Sequence, residues 1–259
     1  MRAAIILLAI LIAAILGPLL VPWRFDTIDW TAVRAAPLTG MHLLGTDSVG
    51  RDQLARLLVG TRVSLGIAGA AALVALIIGT LWGAIAGWCG GWIDAMMMRL
   101  VDALYALPFM FVVILLMVVF GRSILLVFLG IGAVEWLTTA RVVRAQVMQI
   151  KVRPFILAAE AAGVSAPQIV ARHVLPNIVG VALADLLITI PQVVMVESFL
   201  SFLGLGVQEP LTSLGLLVKE GVDDMDIAPL GLILPCAVLM MLLICLTLIG
   251  ERLRARLAA

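Results

Sequence analysis

Long apolar runs broken by short polar clusters organise this chain. Residues 3–23, 63–93, 103–121 and 227–250 carry no charged side chain. A helix crossing the bilayer core needs roughly 20 apolar residues. The pattern predicts an all-α, polytopic membrane protein forming one domain over 1–259, with six transmembrane helices near 3–21, 63–87, 100–120, 124–146, 178–203 and 229–250. The connections are an external segment at 22–62, a cytoplasmic loop at 147–177 and an external loop at 204–228. The first apolar run is longer than the 7–15 residues or so of a signal-peptide core, so it is expected to remain as a span.

One polar cluster has its own helical punctuation. In Phe155–Asn177, small residues replace the bulky ones of the neighbouring runs. Pro154 suits a first helical position, where its missing N–H has no partner. Gly163 follows an alanine-rich stretch, at the place of a left-handed C-terminal turn. Ser165 with Gln168 three residues on reads as a capping box. Pro176 is expected to drive Leu175 out of helical geometry and stop the second helix. The prediction is a helix–glycine–helix elbow outside the bilayer.

Composition supports the membrane class and excludes others. Of 259 residues, 64% are hydrophobic and 13% charged, and the mean hydropathy is +1.22. A net charge of +1 gives no footprint for nucleic acid. Cys89, Cys236 and Cys245 are far apart and read as packing residues. With His42 and His173 the only histidines, no metal site is expected.

Lysine and arginine placement gives the orientation. Arg141, Arg144, Lys151, Arg153 and Arg172 surround the elbow, and Arg252, Arg254 and Arg256 form the tail. Both regions, and with them both termini, are expected in the cytoplasm. The 204–228 loop sets Glu209, Glu220, Asp223, Asp224 and Asp226 against Lys219 alone, which suits the outside. The 22–62 segment departs from the rule with five arginines, accompanied by Asp26, Asp29, Asp47 and Asp52. Local pairing of Asp47, Arg51 and Asp52 would explain this. Together with Thr46, these residues are also candidates for a docking surface; the alternative is a clamp on the outer end of the bundle.

Three acids fall inside predicted spans: Glu135, Asp185 and Glu197. Ionisable groups at membrane depth are costly and face a cavity or a partner. Either they line a translocation pathway or they make interhelical hydrogen bonds. Gly79, Gly83 and Gly87 form a ridge with a spacing of four, which allows a close helix–helix approach. Pro108, Pro191 and Pro235 are expected to kink their spans.

Four stretches, in order, resemble the C-type permease subunit of the dipeptide/oligopeptide/nickel family of bacterial ABC importers. They are His42-Leu-Leu-Gly-Thr-Asp-Ser-Val-Gly-Arg-Asp52, Gly90-Gly-Trp-Ile-Asp94 with Asp102-Ala-Leu-Tyr-Ala-Leu-Pro108, the elbow ending His173-Val-Leu-Pro-Asn177, and Glu197-Ser-Phe-Leu-Ser-Phe-Leu-Gly-Leu-Gly-Val-Gln208. The chain departs from the family pattern at Leu157, where Glu is common, at Glu160, where Arg is common, and in the tail Thr247–Arg254.

The resemblance implies a type I importer permease fold whose elbow couples to an ATPase through Ala158, Ala159, Gly163, Ser165, Gln168, His173 and Pro176. It also implies a second permease subunit as heterodimer partner, two ATPase subunits, an extracytoplasmic solute-binding protein and surrounding lipid. No phosphate-binding glycine loop occurs in the chain. ATP and magnesium are therefore expected on the partners, with no cofactor, metal or catalytic residue here. The competing reading is a proton- or cation-coupled secondary transporter using the buried carboxylates, but it leaves the elbow unexplained. An integral membrane enzyme lacks a nucleophile or metal set.

Overall fold

The structure, a computed structural model, describes residues 2–121 and 124–258. Helix α1 (Arg2–Leu20) is apolar along its length and buries only Ala14. After an irregular segment, α2 (Gln53–Cys89) runs for 37 residues. It starts well before the predicted span, so the segment expected at 22–62 shrinks to about 22–52. The reason is Asp52, whose carboxylate accepts the Ala55 N–H at 2.7 Å and caps the helix.

The predicted third span at 100–120 is broken where Pro108 was expected to kink it: α3 (Gly91–Tyr105), which starts earlier than the span, and α4 (Phe109–Phe120) are bent by 75°. Pro108 stands between them in extended geometry and supplies no N–H to carry the ladder across. Helix α5 (Ile124–Lys151) follows; the linker expected before it includes 122 and 123, which lie outside the described residues.

The elbow contains α6 (Pro154–Ala161) and α7 (Ala166–Ile169). A π-helical turn at Val170–Val174 then leads into α8 (Leu175–Phe202). The loop predicted at 204–228 contains a further helix, α9 (Leu214–Asp223), capped by Ser213 Oγ accepting the Leu216 N–H at 3.3 Å. Helix α10 (Leu230–Ala258) ends the fold.

Among the described residues, Arg2–Leu20, Gln53–Cys89, Ala166–Phe202 and Leu230–Arg256 are long and apolar enough to cross a membrane, and the bent α3–α4 pair makes a fifth candidate. Helix α5 has 28 residues but carries Glu135, Arg141, Arg144 and Lys151. Among the described residues, length and apolarity thus mark four or five of the six expected spans.

Helix α2 is the central column. Lipid offers no hydrophobic drive to pair helices, so they hold together by close packing and polar contacts. The ridge Gly79, Gly83 and Gly87 meets α5 within the same chain. A Cβ on Gly83 would land on the Ala140 carbonyl oxygen and lie 2.9 Å from the Arg144 nitrogen. One on Gly87 would lie 2.8 Å from the Arg144 carbonyl oxygen. Arg144 also forms a bidentate pair with Asp94 at 2.5 and 2.6 Å, and Arg141 reaches Asp102 at 2.8 Å. These pairs fasten α3 to α5.

Gly83→Val should therefore force α2 and α5 apart, at an overpacking cost of about 1–3 kcal/mol. The expected result is a lower melting temperature of the purified protein and less of it in the membrane. Gly66→Ala is the control, because a Cβ there meets nothing within 4 Å.

Candidate functional site

The elbow is built from local rules and then pinned to the bundle. Arg153 is in extended geometry at the N-cap and Pro154 occupies the first turn of α6. At the other end, Gly163 has φ +77. Its N–H bonds to the Glu160 carbonyl at 2.9 Å, and the Val164 N–H bonds to Ala159 at 3.1 Å. This is the two-bond Schellman ending, which satisfies otherwise orphaned carbonyls.

Ile156, Ile169 and Val174 are buried against Ala84 of α2, Val143, Val147 and Ile150 of α5, and Ile178 and Ala182 of α8. Lys151 Nζ donates to the Trp88 carbonyl at 2.5 Å, placing a cation at the C-terminal end of α2. The opposite face is open. Leu157, Ala158, Glu160, Gly163, Ser165 and Gln168 are all exposed, and a Cβ at Gly163 would meet nothing within 4 Å. Ala159 is half-buried on the inner side.

Two expectations for the elbow are corrected. The Ser165–Gln168 capping box does not form: Ser165 makes no side-chain cap bond, and its hydroxyl donates instead to Gln168 Oε1 at 3.0 Å. Pro167 also removes one N–H that such a cap could satisfy. Pro176 does not stop a helix. Leu175 is α-helical and Pro176 sits in the first turn of α8, because the preceding π turn shifts the hydrogen-bond register around it. His173 is half-buried, with its ring 6.4 Å from that of Phe155. His173 thus packs at the root of the elbow, while Pro176 is exposed in the first turn of α8.

At the opposite end of the bundle, charges interlock. Asp47 accepts Arg51 Nε at 2.7 Å and an Arg56 guanidinium nitrogen at 2.5 Å. Arg56, only 1% exposed, also holds both Glu220 oxygens at 2.6 and 2.9 Å. Arg51 reaches Glu209 at 2.9 Å, and Arg34 reaches Asp224 at 2.7 Å. His42 stacks on Trp23 and places Nδ1 2.9 Å from the helix-capping Asp52. Thr46 donates to the Ala32 carbonyl and accepts the Ala35 N–H at 2.8 Å.

The expected pairing within 47–52 is therefore present, and it extends to α9. Of the four docking candidates, Thr46, Arg51 and Asp52 are buried and all four bond to partners within the chain, which is the arrangement of the alternative, a clamp on this end of the bundle. Arg56 and His42 were not singled out by sequence. Arg56 follows the capping Asp52 by one turn on α2, a spacing that could have flagged it.

The intramembrane acids separate into two groups. Glu197 is fully buried; Ser64 of α2 donates to one oxygen at 2.8 Å and Ser201 of α8 to the other at 2.7 Å. Ser64 Oγ in turn accepts the Leu214 N–H of α9 at 3.1 Å. Glu197 thus makes the interhelical hydrogen bonds that were the alternative to a pathway contact, as a clasp among three helices. Asp185 of α8 accepts Thr139 Oγ1 of α5 at 2.7 Å and is half-buried. Glu135, also half-buried, lies one turn from Thr139 on the same face of α5. The structure thus brings Glu135 and Asp185 to one helix seam. No group of three metal-ligating side chains occurs among the described residues.

The interlocked charges predict an acid response. Burial acts to raise the Asp47 pKa, but the Arg51 backbone N–H and the Arg56 and Arg51 guanidiniums outweigh it and hold the pKa below the ordinary aspartate range. A group depressed on folding stabilises fully above its unfolded value and loses that contribution as pH falls through the folded one. Melting temperature should therefore drop on acidification below the ordinary aspartate range. Asp47→Asn should start lower at neutral pH and show a shallower acid decline in a melting-temperature-against-pH series.

Comparison with known proteins supplies the family. Residues 79–258 match the binding-protein-dependent transport system inner membrane component family. The oligopeptide transport system permease protein OppC of Escherichia coli K12 is 46% identical, over 96% of this chain and 83% of that protein. OppC of Haemophilus influenzae is 42% identical, over 97% and 82%. The dipeptide transport system permease protein DppC of Bacillus subtilis is 38% identical, over 85% and 69%. In fold, the chain is similar to the MetNI methionine ABC transporter solved in inward-facing conformations, with a TM-score of 0.63 over 77% of this chain and 95% of that one at 19% identity. None of these likenesses favours a secondary transporter. The chain belongs to the binding-protein-dependent inner membrane component family and is a C-type permease subunit of the dipeptide/oligopeptide class of ABC importers.

Proposed function

We propose that this chain carries peptides or related small solutes inward across the membrane as half of a permease heterodimer, powered by two ATPase subunits that grip the elbow. The peptide class is suggested by the names of the relatives, whose systems transport oligopeptides and dipeptides. An extracytoplasmic binding protein would deliver the solute, and ATP with magnesium would be used only on the ATPase subunits. The elbow end faces the cytoplasm in this reading, with both termini on the same side. The arginines of elbow and tail support that orientation. Alkaline phosphatase fused after the elbow or at the C-terminus should be inactive, and fused within the irregular segment after α1 it should be active.

The observation that carries the coupling role is the open face of α6 and its turn. It is rigid, since Ile156 and Ile169 anchor it, yet its outer side presents small residues and Leu157 to the exterior. A helix of that shape fits a cleft on a partner, and its displacement would move α8 and α5 together as rigid bodies. The seam holding Glu135 and Asp185 is the candidate contact for a cationic group of the moving solute.

Gly163 is the test point. Left-handed geometry costs a β-branched residue on the order of 1–2 kcal/mol. Gly163→Val should leave the subunit in the membrane and paired with its sister permease, while binding-protein-stimulated hydrolysis and transport fall. Gly163→Asn should retain both, because asparagine tolerates that region. Ser165→Ala should be nearly neutral, since the hydroxyl caps no backbone group. Full stimulation by the valine variant would sink the coupling role of this turn.

A further inference from the structure

The 37-residue helical run Ala166–Phe202 joins the elbow to α8 without a break, yet contains one wide turn. Within it the Leu175 N–H bonds to the Val170 carbonyl, five residues back. Pro176 follows immediately. In an α register it would withhold an N–H from the Arg172 carbonyl and press its ring against that group. Asn177 Nδ2 instead donates to the His173 carbonyl at 2.6 Å, patching the interrupted ladder with a side chain.

The buried positions show what the wide turn accomplishes. Ile169, Val174, Ile178 and Ala182 are 1%, 0%, 1% and 4% exposed. The last three are spaced by four, as an α-helix requires for one face. The first step is five. In an uninterrupted α-helix five residues overshoot a full turn by about 140°, so Ile169 and Val174 could not share a face. The inward position after Ile169 would then fall to His173, which the structure instead sets beside Phe155 of α6.

We infer that the π turn at Val170–Val174 is a phase-setting joint, and that Pro176 is the positioning residue that holds it. The one extra residue keeps Ile169 facing the α2–α5 floor while α8 keeps Val174 and Ile178 facing the same core, so the open face of the elbow points away from the bundle. This rests on the docking role proposed above, but the orientation itself can be read without any ATPase.

Two variants separate phase from π geometry. His173→Val/Pro176→Ala restores the missing N–H and offers an apolar residue at the α-register position, so the elbow should turn by about 100° relative to α8. Pro176→Ala with Ala171 deleted removes the wide turn but returns Ile169 and Val174 to a spacing of four, so the phase is kept. Orientation is read in the membrane-embedded subunit by cross-linking Ala166→Cys to the native Cys89, which line one groove, with a short bifunctional thiol reagent. Coupling is read in the assembled complex as stimulated hydrolysis.

The first variant should lose the cross-link, and its stimulation should fall about tenfold, equivalent to roughly 1.4 kcal/mol of docking energy. The deletion variant should retain both. An unchanged cross-link in the first variant would show that Pro176 does not set the phase. Loss of the cross-link in the deletion variant would show that the wide turn itself is required. Correct cross-linking in both variants' expected senses with stimulation unaffected would leave the joint in place and overturn its link to docking.

Discussion

Close approach of backbones along α2 is the constraint on which the rest of the fold depends. In a bilayer, packed surface and satisfied polar groups must replace the hydrophobic drive of a soluble core. The glycine ridge lets α2 lie directly on the backbone of α5, where side chains at 79, 83 and 87 would collide with carbonyl oxygens and neighbouring atoms. With that column set, α3 is tied to α5 by Asp94 and Asp102, the elbow finds a floor made by both helices, and α8 closes the seam through Asp185 and Thr139. In the coupling role proposed above, that floor is what the elbow would push on: three buried apolar residues would transmit its movement, while the exposed alanines would make room for a partner.

Much of this plan was legible in the residues. Apolar runs marked the long helices because every turn of such a helix must tolerate lipid or packed protein. Pro154 and Gly163 marked the ends of α6 because their backbone restrictions are local and need no tertiary information. The glycine ridge declared a close contact, although only the structure identified α5 as its partner.

What was not legible depended on register or on distant partners. The π turn hides in sequence, since one extra residue in a helix leaves no compositional mark; only the five-residue step between Ile169 and Val174 betrays it, and that step becomes visible once burial is known. Pro176 is ambiguous for the same reason, as a proline opening a helix and one ending it differ only in what precedes them. At Pro108 the kink itself was legible, but not that it reaches 75° and divides the span into two helices. Glu197 was equally ambiguous, because Ser64 lies 133 residues away and no local pattern announces that donor.

The interlocked charges at the end opposite the elbow have a consequence for biogenesis. Arg51 and Arg56 enter the membrane-proximal fold with α2, but Glu209 and Glu220 follow 158 and 164 residues later. Until the ribosome has delivered those carboxylates, the two guanidiniums have only Asp47 to share, and burying them is unfavourable. The charge cluster of the opening segment is therefore completed only once α9 has been made. The last third of the polypeptide thus completes the charge pairing of the first, so the two ends of the chain are fastened to each other by ion pairs as well as by packing.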